Sequence, residues 1–279
     1  MAKKKDRDLE LLEHFRVPED GKRFRLSSFD PEDTWPFTDR VAAEKQLADD
    51  VACIKSMQEM MYAQSKYAVL AVLQAMDTGG KDGVVRHVFG PLDAQGVTVT
   101  SFKKPTPIEL SHDYLWRIHN AVPPRGQLGV FNRSHYEDIL VVRVHEWVAR
   151  EKLDQRYEQI NDFEKYLVRN DTSVVKFFLH ISKDEQKKRL QARLDDPTKH
   201  WKFEHGDLEE RLLWDGYQQA YELALAKCST AGAPWYVIPA DRKWARNALV
   251  ARILRLTMER LDLHYPPAPK GLKNIVIDG

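Results

Sequence analysis

Hydrophobic and polar positions alternate along this chain in two rhythms. Residues 67–75, YAVLAVLQA, form a nearly continuous apolar run, the mark of a central strand buried on both faces. Comparable short runs follow at 97–102 (VTVTSF), 127–132 (QLGVFN), 174–181 (VVKFFLHI) and 235–240 (WYVIPA). Helical patterns separate them. In 41–66, Val41, Leu47, Val51, Ile54, Met57 and Met61 recur at helical spacing. Three later helix starts are signposted. Thr106-Pro107-Ile108-Glu109 supplies an N-cap, a proline at the first position and a reciprocal glutamate. Ser182-Lys183-Asp184-Glu185 repeats the capping box directly after a strand, and Asp207-Leu208-Glu209-Glu210 opens a helix running to about Cys228. Strands alternating with helices imply parallel βαβ units with right-handed crossovers. The expected fold is a three-layer α/β/α arrangement with a central parallel sheet.

Residues 1–40 are charged and interrupted by Pro18, Pro31 and Pro36, and read as an extended N-terminal arm. Lys plus Arg number 43 and Asp plus Glu 42, so the net charge is +1. No global field then draws the protein to nucleic acid or to an anionic membrane, and any polyanion site must be a local cluster. Cys53 and Cys228 are too few and too far apart for a disulfide framework or a zinc site, and read as small buried hydrophobes. No apolar run approaches the ~20 residues of a membrane span. The start, MAKKKDRDLELLEHF, lacks the apolar core of a signal peptide, which makes the cytoplasm the expected location.

The first buried strand leads into VLQAMDTGGKDG (72–83), close to the phosphate-loop pattern G-x-x-x-x-G-K-[ST]. Gly80 and Lys81 fit it, with Gly79 beside them. Ala75 stands at the first glycine, Asp82 replaces the hydroxyl residue, and Asp77 adds an acid inside the loop. A glycine-rich loop between a buried strand and a helix is where an open α/β sheet binds phosphates. Asp82 cannot imitate a hydroxyl beside a phosphate without a cation between them. Asp77, Asp82 or both are therefore candidate ligands for magnesium, which prefers oxygen; the plainer reading of Asp82 is a helix N-cap.

Two further segments carry chemistry. In GVFNRSHYEDILVVRV (129–144), Asn132 occupies the strand-end position where many such folds place a second metal-binding aspartate. Arg133 follows it and suits bidentate phosphate binding. Ser134, His135 and Asp138 do not make a hydrolytic triad by sitting close along the chain, and His135 reads as a structural histidine. In EQKKRLQARLDDPTKHWKFEHGDLEERLLW (185–214), Arg189 and Arg193 share one helical face. Lys199 and Lys202 continue the basic strip beyond Pro197. Its place late in a P-loop kinase-like fold makes 185–214 a candidate lid carrying phosphate-binding arginines. Lys103 and Lys104, after the second strand, could meet the same anion. The expected division is an arm (1–40), a P-loop kinase-like domain (41–265) and a C-terminal tail (266–279).

AMDTGGKDG, FNRSHYEDILVVRV, ISKDEQKKRLQARLDDPTKHWKF and PWYVIPADRKWARN (234–247) together resemble the polyphosphate kinase 2 family, from about residue 17 to the C-terminus. The FNRSHYED wording is similar to the subgroup called class III, whose members phosphorylate AMP and ADP from inorganic polyphosphate. The resemblance implies magnesium, with Asp77, Lys81 and Arg133 in transfer and Arg189 and Arg193 on a lid. Asn132 departs from the aspartate of many members, which fits that subgroup and leaves a second metal carboxylate in question. The implied partners are polyphosphate and the adenine nucleotides AMP, ADP and ATP, in a homo-oligomer. Two alternatives compete with this reading: an ATP-dependent nucleoside or nucleotide kinase, and a non-catalytic polyanion-binding module.

Overall fold

In the computed structural model, which describes residues 2–272, 275 and 277, all five apolar runs become strands of one parallel sheet. They are β1 (Ala68–Ala75), β2 (Val97–Ser101), β3 (Leu128–Asn132), β4 (Thr172–His180) and β5 (Trp235–Pro239), in the order β2-β3-β1-β4-β5. Every residue of β1 is buried, which is why its sequence does not alternate. Val69 pairs with Leu128 on one side and Ser173 on the other. The chain leaves β1 for the β2–β3 side and later returns to β4, so the strand order reverses at β1. A crevice opens beyond the carboxyl ends of the strands at such a point.

The helices are α1 (Ala2–Phe15), α2 (Arg40–Gln64), α3 (Lys81–Val84), α4 (Pro107–Leu110), α5 (Trp116–Asn120), α6 (Glu137–Val144), α7 (Arg150–Arg169), α8 (Lys183–Leu194), α9 (His205–Leu212), α10 (Trp214–Cys228) and α11 (Lys243–Met258). α3 continues as a π-helical turn, Val85–Phe89. α11 is buried almost throughout and packs along α2.

Four local expectations need correction. Residues 2–15 form a helix, not an extended arm. Leu11, Leu12 and Phe15 bury their side chains in the core, each worth about 1.5–3 kcal/mol of transfer free energy. The following residues bridge β5, with Val17 N donating to Trp235 O at 2.9 Å. The box at Ser182 is half formed: its Oγ accepts from Glu185 N at 3.1 Å, while Asp241 takes Ser182 N at 2.8 Å, and Glu185 turns to Arg189 instead. The helix expected from Asp207 is two helices broken at Leu213; Asp207 lies inside α9 and accepts from Arg193. Cys228 is buried, its thiol pushed up to about 12 by desolvation, but Cys53 is exposed.

Candidate active site

Beyond Ala75 the chain turns sharply, with Gly79 N donating to Met76 O at 3.0 Å, and Gly80 adopts φ +104° before α3 begins. That angle favours glycine. A Cβ on Gly80 would also lie 1.8 Å from Arg246 Nη1. At Gly79 an added Cβ would meet the Ala75 methyl at 2.6 Å, so the methyl at the first motif position fills space that Gly79 leaves empty.

Three successive loop carbonyls are held by side chains from α8 and α11. Asp77 O accepts from Gln186 Nε2 (3.1 Å), Thr78 O from Arg189 Nη1 (3.0 Å) and Gly79 O from Arg246 Nη1 (3.3 Å). Most of the Arg189 fork is used here. It also donates to Ala240 O, Asp241 O and Glu185 Oε1. The Arg189 side chain reaches from α8 under the loop, where these backbone oxygens converge. Arg246 is buried beside it. Its neighbours within bonding distance are neutral oxygens of Gly79 and Asn247, and desolvation plus the Arg189 charge depress it to about 9.

On the other side of the loop, Lys81 and Arg133 come together. Lys81 Nζ donates to Ala75 O at 2.8 Å. Desolvation first, and then the Arg133 charge, push its ammonium down to about 8 against the pull of Asp77, Glu137 and Asp82. Arg133 Nη2 donates to Asp77 Oδ1 at 3.0 Å, and its Nη1 lies 3.7 Å from Glu137 Oε2. Asp82 is exposed and is no N-cap, a place taken by Gly80 without any side-chain bond. Its Oδ1 accepts from Asn132 Nδ2 at 2.9 Å. Asn132 thus presents a donor to Asp82 rather than a metal-binding oxygen, because an amide beside a carboxylate turns its NH₂ toward it. Ser134, His135 and Asp138, read from the sequence as no triad, indeed diverge. Ser134 meets Gln74, His135 meets Glu164, and Asp138 faces Arg117 and Arg156.

Comparison with known proteins places the chain in a family. Residues 37–265 match the profile of the family described as Polyphosphate kinase 2 (PPK2). The chain is 52% identical over 268 residues to the AMP/ADP-polyphosphate phosphotransferase of Meiothermus ruber, covering 96% of this chain and 100% of that one. This chain belongs to the polyphosphate kinase 2 family. It is also 43% identical to an ADP-polyphosphate phosphotransferase of Rhodopseudomonas palustris, over 90% of this chain and 91% of that one. The crystal structure of Polyphosphate Kinase 2 from Arthrobacter aurescens TC1 superposes with a TM-score of 0.91 at 46% identity, covering 95% and 94% of the two chains. The fold is accordingly the P-loop kinase-like α/β architecture of the polyphosphate kinase 2 structures.

Of the other expected residues, Arg193 is turned into the lid, donating to Asp207 Oδ2 (3.1 Å) and Lys202 O (3.2 Å). Lys202 lies over the exposed Trp201 ring at 4.8 Å, and Lys103 is exposed beyond β2. The lid is fastened to the body where Glu210 of α9 meets His145 (2.9 Å) and receives the Tyr217 hydroxyl (2.6 Å). Burial and the nearby Asp77 charge push the Asp207 carboxyl up, so this lid acid feels the loop acid. Sequence reasoning assigned no role to Gln186, Arg246 or Glu137. All three lie within the motifs that carry the family resemblance, FNRSHYED, ISKDEQKKRL and PWYVIPADRKWARN, but spacing along the chain does not say which loop they meet.

Among the described residues no three His, Cys, Asp or Glu side chains form a metal cluster, and no helix is long and apolar enough to cross a membrane.

Proposed function

We propose that this protein transfers the terminal phosphoryl group of inorganic polyphosphate to ADP and AMP, forming ATP and ADP. One observation carries the reading. Lys81 beyond β1 and Arg133 beyond β3 bring two cations to the same rim of the sheet, where desolvation first and the Arg133 charge second depress the lysine, and an arriving phosphate offsets both. The polyphosphate kinase 2 relatives, named for AMP and ADP, supply the acceptor class.

Lys81 and Arg133 would neutralise charge that develops as the phosphoryl group passes in line between oxygens. The acceptor is itself a phosphate oxyanion, so no general base is needed, in keeping with the burial of His135. Gln186, Arg189 and Arg246 fix the loop, and Gly79 and Gly80 let the phosphates approach it. Asp77 and Asp82 flank Lys81 and fit magnesium, which binds through one or two carboxylates, retained waters and substrate phosphates rather than through a complete protein cage. When bound, the ion would offset charge on the transferring phosphates. Asn132 orients Asp82 for this. Lys103 and Lys202 are assigned to distant parts of the polymer, with Arg193 holding the lid together through Asp207, in a cytoplasmic homo-oligomer.

The test is incubation of purified protein with magnesium, long-chain polyphosphate and either AMP or ADP, with no ATP added, followed by chromatography of the nucleotides. Formation of ADP and ATP is expected. Activity only with ATP as donor would assign the protein to conventional nucleotide kinases, and binding without turnover would make it a polyanion module.

A further inference from the structure

Arg133 holds its guanidinium at the rim of the crevice from a backbone position at φ +62°, a left-handed conformation that favours glycine. Something must hold a non-glycine residue there. Its own N–H donates to Leu73 O at 3.1 Å. The next three residues, Ser134, His135 and Tyr136, are all fully buried. Ser134 Oγ accepts from Gln74 Nε2 (3.1 Å) and from Tyr136 N (3.2 Å). His135 Nε2 and the Tyr136 hydroxyl both meet Glu164 Oε1, at 3.2 and 2.9 Å.

Behind them lies an ion pair in the centre of the protein. Lys176, in the middle of β4, donates to Glu164 Oε2, to the Tyr136 hydroxyl (2.9 Å) and to Cys228 O (2.7 Å). Burial alone would push the Glu164 carboxyl up; the Lys176 charge and the His135 bond outweigh it and hold the acid ionised. A buried pair of this kind is no more stabilising than apolar residues of the same volume would be. What it adds is direction. In the observed arrangement the Tyr136 hydroxyl is bonded to both members of the pair.

We infer that Tyr136, Glu164 and Lys176 are positioning residues that fix the backbone presenting Arg133. The inference rests on the role proposed for Arg133 in transfer. With three anchored residues on one side and β1 on the other, the strained residue has no slack, and its guanidinium stays between Asp77 and Glu137.

Tyr136→Phe tests this. The ring keeps its edge contact with Trp235, 4.7 Å between centroids, while Glu164 retains His135 and Lys176, so the fold survives. With polyphosphate and ADP, kcat should fall about tenfold, since small misplacements of a transfer residue are costly. Both KM values should stay within about twofold. In an Arg133→Ala background, Tyr136→Phe should have no further effect, because residues acting through one another are not additive. The charge-free pair Lys176→Met/Glu164→Gln should show the same dependence on Arg133 and serves as a second test if Tyr136→Phe does not fold. A folded Tyr136→Phe protein at the wild-type rate, or an undiminished loss in the Arg133→Ala background, would overturn the positioning role alone. Arg133→Ala at the wild-type rate would overturn the site reading and this inference with it.

Discussion

The ammonium of Lys81 is bonded to the Ala75 carbonyl, and desolvation and the nearby Arg133 guanidinium both weaken its hold on the proton. Replacement by Ala should lower turnover by roughly 10²–10³, the usual loss for a group that meets developing charge, while the melting temperature is kept. Its depressed value of about 8 adds a pH signature. Above that pH the unliganded enzyme loses the charge, so kcat/KM for polyphosphate should fall. Bound phosphate favours the ammonium, so the matching limb of the kcat profile should lie at higher pH. Stability runs the other way. A lysine depressed in the folded state is protonated more fully in the unfolded chain between about 8 and 10.5, so stability from this group grows as pH rises through that window. Coincident kcat and kcat/KM limbs would remove Lys81 from the phosphate site.

At the scale of elements, α8 does two jobs with two arginines one turn apart. Arg189 reaches back to the loop and fixes Thr78, Ala240 and Asp241 through their carbonyls; Arg193 reaches forward and binds the lid to itself through Asp207. A lysine cannot replace a planar fork that spans several acceptors. Arg189→Lys should therefore lower kcat on the order of tenfold or more by loosening the loop. Arg193→Lys keeps a cation opposite Asp207 and should cost only about two- to threefold, since a partly exposed pair contributes little. Steady-state kinetics with polyphosphate varied at saturating ADP distinguishes them. A larger loss for Arg193→Lys would mean that the lid, not the loop, is the sensitive element.

Across the whole molecule, charge joins the N-terminal helix to the body. Asp8 of α1 and Asp50 of α2 share Arg252 and Arg255 of α11, with Arg252 Nη1 donating to Asp50 Oδ1 at 3.1 Å. Asp50 is buried, and desolvation pushes its carboxyl up despite the two arginines. Asp50→Asn leaves those guanidinium groups short of a counter-charge and should cost about 3 kcal/mol of unfolding free energy, as when one partner of a buried pair is removed. Urea denaturation would measure it, and activity per folded molecule should be unchanged because none of the network's bonds involves a loop residue. A loss below about 0.5 kcal/mol would place the pair in the class of solvated surface bridges.

Five strands, the long α2 helix, the glycine loop and the capping box at Thr106 were legible because each depends on neighbours along the chain: an uninterrupted apolar run, a helical period, or a side chain three residues from the amide it caps. The N-terminal helix was hidden, since Leu11, Leu12 and Phe15 lie among charges and acquire meaning only against the core they cover. Spacing put Arg189 and Arg193 on one helical face, but spacing does not say what that face meets. The Asn132–Asp82 pair spans 50 positions, Lys176 and Glu164 belong to different layers, and Arg246 enters the site 167 residues after the glycine whose carbonyl it holds. The sequence by itself determined which segments are strands and where the glycine loop lies, because those are local properties of the backbone and its hydrophobic pattern. Only the tertiary structure decided which charges are shared, buried or left exposed, because electrostatic partnership depends on distance and desolvation in space.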